Sequence, residues 1–226
     1  PGPDDGSVVG VDRGVTVSAA LSSGELLHAP GLNAGEAERL RRLQQRLARA
    51  RHGSHRRART RLAIARLRAR ETDRRRDWVE KTTTDVARRF ATIRVEDLGV
   101  GAMTRSARGT VECPGTNVAQ KRSLNREISR QGWGLMVARL DRKAAGRLER
   151  VPAAYTSQQC SHCGHVAPEN RKSQAVFQCG ACDAGPCHAD VNAARNIAAG
   201  RAVTARGDLG TSRSANREPQ LCPSAT

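Results

Sequence analysis

The sequence predicts an α/β chain carrying a small metal-binding insert, and three observations lead to that expectation. Between Ser7 and Ala29, short runs of alternating apolar residues are separated by turn residues, as in strands. From Ala34 to Phe90, apolar residues recur at three- and four-residue spacing, as in amphipathic helices. Near the other end, four of the seven cysteines fall into two Cys-x2-Cys pairs.

The first β segment begins with Val8, Val9 and Val11, a short apolar run ending at Asp12. Gly14 supplies a turn, Val15, Val17 and Ala19 alternate, and Ser22-Ser23-Gly24 turns again before Leu26-Leu27, which suggests a β-meander. Any small antiparallel sheet would read the same way. Leu40, Leu43, Leu47 and Ala50 then mark one apolar helical stripe, Gly53-Ser54 interrupts it, and a second helical stretch runs from about Arg57 to Phe90. Ile93 to Leu98 is a short strand ending in the carboxylates Glu96 and Asp97, followed by a loop from Gly99 to Gly115. One amphipathic helix is expected from Val118 to Ala145, loosened by Gly132 and Gly134, and a further strand from Val151 to Tyr155. A final helix is expected over 189–199, and residues after Gly207 read as a disordered polar tail.

Charge narrows the partners. The formal net charge is +17 over 226 residues, which attracts polyanions without specifying a fold. Between Arg39 and Arg70 stand 13 arginines and no acidic residue, so the usual four-residue Glu or Asp compensation is missing. A nucleic-acid backbone lying along this helical pair relieves that repulsion, and Arg39, Arg42, Arg46, Arg49, Arg56, Arg57 and Arg61 are its candidate phosphate contacts. No run approaches the about 20 apolar residues needed to span a bilayer, so no membrane partner is expected. The first residues lack the features of a secretory signal, so the cytosol is the expected location, nucleoid-associated when bound. There thiols stay reduced, and paired cysteines hold metal more often than they form disulfides.

Cys160, Cys163, Cys179 and Cys182 have the spacing of two zinc knuckles, with 15 residues between the pairs. Gly164 follows the first knuckle and Asp183-Ala184-Gly185 the second, while Ala175, Phe177 and Gln178 suit a short ribbon strand. Four thiolates close a tetrahedral shell and leave no position for water, so this Zn²⁺ is expected to be structural. An insert this small has little core, and metal binding supplies its folding energy.

Three acids share an unusual context. Asp12 and Glu96 end apolar strands, and Asp190 opens a helix. Carboxylates gathered at strand ends become tolerable when they hold hard cations, and Mg²⁺ takes such oxygen ligands. Each also has a local reading, Asp190 as a helix cap and Asp12 as a turn former. Position alone leaves both open.

In combination, Gly10-Val11-Asp12-Arg13-Gly14, Val95-Glu96-Asp97-Leu98, Tyr155-Thr156-Ser157-Gln158, the two knuckles, and Asp190-Val191-Asn192-Ala193-Ala194-Arg195-Asn196 resemble the TnpB family. These are transposon-encoded RNA-guided nucleases related to the type V CRISPR effectors. The resemblance runs from about Ser7 to beyond Ala205 and implies an RNase H-like (RuvC-like) mixed sheet flanked by helices, with an inserted zinc ribbon. It implies that Asp12, Glu96 and Asp190 are the catalytic acids, binding Mg²⁺ or Mn²⁺, and that DNA and a guide RNA are the partners. By it the chain divides into a nuclease core over 1–155 with an arginine-rich helical insertion at about 34–90, and a target-nucleic-acid-binding ribbon over 156–187. The chain then returns to the core over 188–206 and ends in a tail over 207–226. The family's N-terminal wedge and recognition region finds no counterpart before Asp12, so a partial form of the nuclease is expected. The competing readings are a non-cleaving, zinc-containing nucleic-acid-binding module and a structural zinc protein of a ribonucleoprotein. Oligomeric state is left open.

Overall fold

A computed structural model describes residues 3–152 and 156–200. The chain order is β1 (Val8–Asp12), β2 (Ala19–Leu21), β3 (Leu26–Leu27), α1 (Ala34–Arg49), α2 (His55–Arg89), β4 (Thr92–Glu96) and α3 (Val100–Met103). There follow α4 (Val118–Gln131), α5 (Trp133–Ala144), β5 (Leu148–Val151), β6 (Val176–Phe177), β7 (Cys187–His188) and α6 (Ala189–Ala198). The expected disordered tail lies outside the described residues. Among the described residues no helix is long and apolar enough to cross a membrane.

Five strands form one mixed sheet in the order β3-β2-β1-β4-β5, the RNase H-like arrangement expected. The first three make the antiparallel meander, while β1, β4 and β5 run parallel. Strand alternation sorts side chains to two faces. Val9, Val11, Ile93 and Val95 point to one face, where Val79, Val86, Met136 and Leu140 of α2 and α5 complete the apolar core. Gly10, Asp12, Arg94 and Glu96 alternate with them and lie on the face covered by α6. Aromatic residues are scarce, and the core is aliphatic as the composition requires.

Two boundaries differ from expectation for clear reasons. The helix expected over 118–145 is two helices, because Gly132 adopts a left-handed φ of 69° that ends α4 and starts α5. The strand expected from Val151 to Tyr155 falls mostly on residues 153–155, outside the described ones, and the observed strand ends at Val151. Leu148–Val151 pairs in parallel with Ile93–Glu96, and the exposed Glu149 and Arg150 of this edge strand hid it among polar residues.

Gly10 shows why α6 can lie flat on the sheet. A Cβ at this position would collide with the Ala194 carbonyl oxygen and the Ala198 nitrogen. Arg94 caps the far end of α6 by donating to the Ala198 carbonyl at 2.5 Å. The helix therefore runs back along β1, with its first turn at the carboxyl ends of β1 and β4. In parallel sheets such ends are where ligand sites form.

Candidate active site

The parallel register pairs Val11 with Val95, so Asp12 and Glu96 follow side by side at adjacent strand ends. Asp190 enters from the first turn of α6, whose N-cap is His188; the Asp190 amide donates to His188 Nδ1 at 3.3 Å. The fold thus brings the three sequence-distant acids into one neighbourhood. Burial pushes the Asp12 carboxyl up to about 7, and the negative charges of Glu96 and Asp190 add to the shift. Burial raises Glu96 as well, opposed by a hydrogen bond from Thr156 Oγ1 and by the nearby Arg13 charge. Three buried or half-buried acids in one neighbourhood call for positive charge, although their ligand atoms do not converge as those of the cysteines do.

Part of that charge comes from two arginines outside the predicted set of site residues, Arg171 and Arg13. Arg171 approaches Asp190 Oδ1 at 3.5 Å and favours the ionised form of Asp12. Arg13 is buried, donates to the Glu96 carbonyl, and has its own pKa lowered by burial. Arg13 follows Asp12 directly, and that adjacency is a signal of its role. Arg171 sits mid-ribbon, and nothing local marks it. Thr156, Asn192 and Asn196 stand in motifs that carry the family resemblance, yet only the fold shows what they touch.

The four cysteines form the second centre. Cys160 Sγ lies 3.8 Å from Cys182 Sγ, and Cys163 Sγ 3.6 Å from Cys179 Sγ. All four sulfurs fall within 4.8 Å of one another, and all four thiols are free. A tetrahedral ion with Zn–S bonds of about 2.3 Å requires sulfurs about 3.8 Å apart, so the cluster fits zinc. The Ala181 amide donates to Cys179 Sγ at 3.3 Å and lowers its pKa, while Cys182, despite a hydrogen bond from the Ala184 amide, is raised by the neighbouring sulfurs. Phe177, 1% exposed, packs beside Cys160 and Cys179. Among the described residues, these cysteines are the group of metal-type side chains whose ligand atoms converge this closely.

The candidate phosphate contacts lie apart, along the α1–α2 hairpin. Arg39, Arg42, Arg46, Arg49, Arg56 and Arg61 are exposed. Two open clefts at the elbow, about 430 and 490 Å³, share Arg46 and Arg56 in their walls. Arg57 behaves differently: its Nη1 donates to the carbonyls of Leu47 at 2.9 Å and Ala50 at 3.4 Å, so it braces the elbow instead of facing outward. Compensation arrives from acids just outside the run, with Glu38 pairing Arg41 and Arg42, and Glu71 pairing Arg68. Arg39, Arg46, Arg49, Arg56 and Arg61 have no ion-pair partner among the described residues.

The chain is similar to several known proteins. Residues 1–107 match the family described as "Probable transposase", and residues 133–197 match the Cas12f1-like, TNB domain. The chain is 43% identical over 207 residues to the "Putative RNA-guided DNA endonuclease InsQ" of Escherichia coli (strain K12), covering 90% of this chain and 51% of that protein. It is 35% identical over 214 residues to a "Putative RNA-guided DNA endonuclease" of Streptomyces pristinaespiralis, covering 92% of this chain and 49% of that one. A solved structure titled as a cryo-EM structure of the Cas12f1-sgRNA-target DNA complex aligns at TM-score 0.48 and 20% identity, over 88% of this chain and 51% of the other. The chain spans about half the length of the curated relatives it matches.

Proposed function

The chain belongs to the TnpB family, and on that premise we propose that it is a metal-dependent DNA endonuclease guided by RNA. The observation that carries the reading is the meeting of Asp12, Glu96 and Asp190 at the carboxyl ends of two parallel strands, with the Asp12 pKa pushed to about 7. The names of both relatives carry the same activity.

Asp12, Glu96 and Asp190 would hold Mg²⁺ or Mn²⁺ through carboxylate oxygens. When bound, such a cation would supply an activated water and positive charge for the leaving oxygen of a phosphodiester. Thr156 fixes the Glu96 carboxylate by donating to Oε1. His188 caps the first turn of α6 and holds the Asp190 backbone in register. Arg171, beside Asp190, supplies positive charge where a scissile phosphate would stand. Zinc held by Cys160, Cys163, Cys179 and Cys182 would be structural, since four thiolates would leave it no open position. DNA and guide RNA lie along the arginine hairpin, where phosphates replace the missing counter-charges of Arg39, Arg46, Arg49, Arg56 and Arg61.

The test is cleavage of single-stranded DNA in Mg²⁺ or Mn²⁺ by the chain and by Asp12→Ala. The variant should cut slower by on the order of a thousand-fold, the loss of several kcal/mol of charge stabilisation, while binding DNA equally well. Equal rates, or cleavage by neither, would remove the catalytic reading and leave a binding module.

A further inference from the structure

Between the acids and the cysteines runs a set of hydrogen bonds with no part in either centre's own chemistry. Asn192 and Asn196 are four residues apart on the inner face of α6, 1% and 0% exposed. Asn192 Nδ2 donates to the Gln159 carbonyl at 2.7 Å, and its Oδ1 accepts from the Ser161 amide at 2.9 Å. Asn196 Nδ2 donates to the same Gln159 carbonyl at 2.7 Å and to the Thr156 carbonyl at 2.9 Å. The residues so held matter. Gln159 and Ser161 flank the zinc ligand Cys160, and Thr156 is the residue whose hydroxyl holds Glu96.

The helix that carries these amides also carries Asp190. The ribbon closes the circuit from the other side, since Arg171 reaches Asp190 and Gln174 Nε2 donates to Thr16 Oγ1 at 3.0 Å, beside the turn that follows Asp12. An alanine-rich helix would pack on a sheet without asparagines on its buried face, where an unmet amide is costly. Here both side-chain amides donate to one short stretch of backbone, with Asn192 satisfied at both ends and Asn196 Oδ1 left without a partner among the described residues. Groups of this kind, behind the ligands, set ligand orientation and typically change metal affinity by about 10–100-fold when removed.

We infer that Asn192 and Asn196 are positioning residues that couple the two centres, so that zinc in the four-cysteine site sets how tightly Asp12, Glu96 and Asp190 hold a divalent cation. The coupling rests on the metal-binding reading of the three acids. Its path is Cys160 to the 156–161 turn, from there to Thr156 and Glu96, and through α6 to Asp190. Loss of zinc frees the turn, and both Glu96 and Asp190 lose their fixed orientation. The cysteines thereby become a control on the nuclease site.

The experiment uses the full chain in zinc-loaded and zinc-stripped form, with Asn192→Ala, Asn196→Ala, and the equal-sized Asn192→Asp and Asn196→Asp, which lose donors without leaving cavities. Mn²⁺ binding is read from the electron paramagnetic resonance signal of free Mn²⁺, and zinc release from transfer to a chromogenic chelator. Zinc removal should weaken Mn²⁺ binding to the unsubstituted chain by about ten-fold or more. The variants should release zinc about ten-fold faster and, while loaded, bind Mn²⁺ as weakly as the stripped parent. Mn²⁺ affinity unchanged by zinc removal, or zinc release unchanged in every folded variant, would overturn the coupling. If Mn²⁺ bound the parent no better than it bound Asp12→Ala, the reading of the acids as a metal site would fall, and the coupling of the two centres with it. Zinc release would then still decide whether the asparagines hold the ribbon.

Discussion

The acid end of the sheet and the arginine hairpin are built on opposite plans. At the acid end, Glu96, Arg13, Thr156, Asn192 and Asn196 are buried, and nearly every functional side chain is held by another from a different part of the chain. Along α1 and α2, most of the arginines point into solvent; the ion pairs to Glu38 and Glu71 are local, and Arg74 pairs across the hairpin with Glu36. The contrast suits the two tasks proposed for the chain. Chemistry on a phosphodiester needs groups fixed to fractions of an ångström, which burial and cross-linking provide. Holding a polyanion needs charge density, which exposed cations supply without a fixed geometry. Arg57 marks the boundary, an arginine drawn out of the charged set to brace the elbow.

Removing zinc should separate the two regions most strongly. Structural zinc contributes on the order of 10 kcal/mol to the folding of small cysteine sites, so chelation should unfold residues 156–188 while the hairpin keeps its affinity for DNA. Protease resistance of the ribbon and fluorescence anisotropy with labelled DNA measure the two halves of that statement. Equal loss in both would show that the regions are not independent.

Acidity comes next. The folded Asp12 carboxyl keeps its proton up to about pH 7, whereas an unfolded aspartate releases it near 3.8. The stability this group contributes is therefore fully present below about pH 4 and is lost as pH rises through about 7. Glu96, also raised, acts in the same direction. Without added divalent cation, thermal unfolding should shift by an amount equivalent to a few kcal/mol across this window. Asp12→Asn should flatten the dependence, and no change in the hairpin arginines should do so.

Gly10→Ala should cost roughly 1–3 kcal/mol by forcing α6 off the sheet, measured by urea unfolding, with Mn²⁺ affinity falling as Asp190 withdraws. The smallest effect belongs to the hairpin. Replacing Arg46 and Arg56, shared by both elbow clefts, with alanine should lower the salt slope of duplex binding by about 0.9 per lost contact and leave the melting temperature unchanged. The same pair of changes at Arg57 and Arg46 should lower the melting temperature, since Arg57 holds the turn.

Residue spacing by itself determines a definite part of this protein. The cysteine knuckles are a property of spacing, because each Cys-x2-Cys places two thiols on one tight turn regardless of the rest of the chain. The amphipathic helices, the meander and the arginine density are equally local, and each rests on a period of a few residues. The acids are different. Their types and strand-end positions are visible in the sequence, but Asp12, Glu96 and Asp190 become neighbours only through the parallel register of β1 with β4 and the close approach of α6 at Gly10. Tertiary structure alone decides the roles of Arg171, Thr156, Asn192 and Asn196, since a buried hydrogen bond between distant segments leaves no period in the sequence. It also decides that Arg57 faces inward among arginines of the same type. Spacing determines what one turn can hold, and burial and register decide which turns meet.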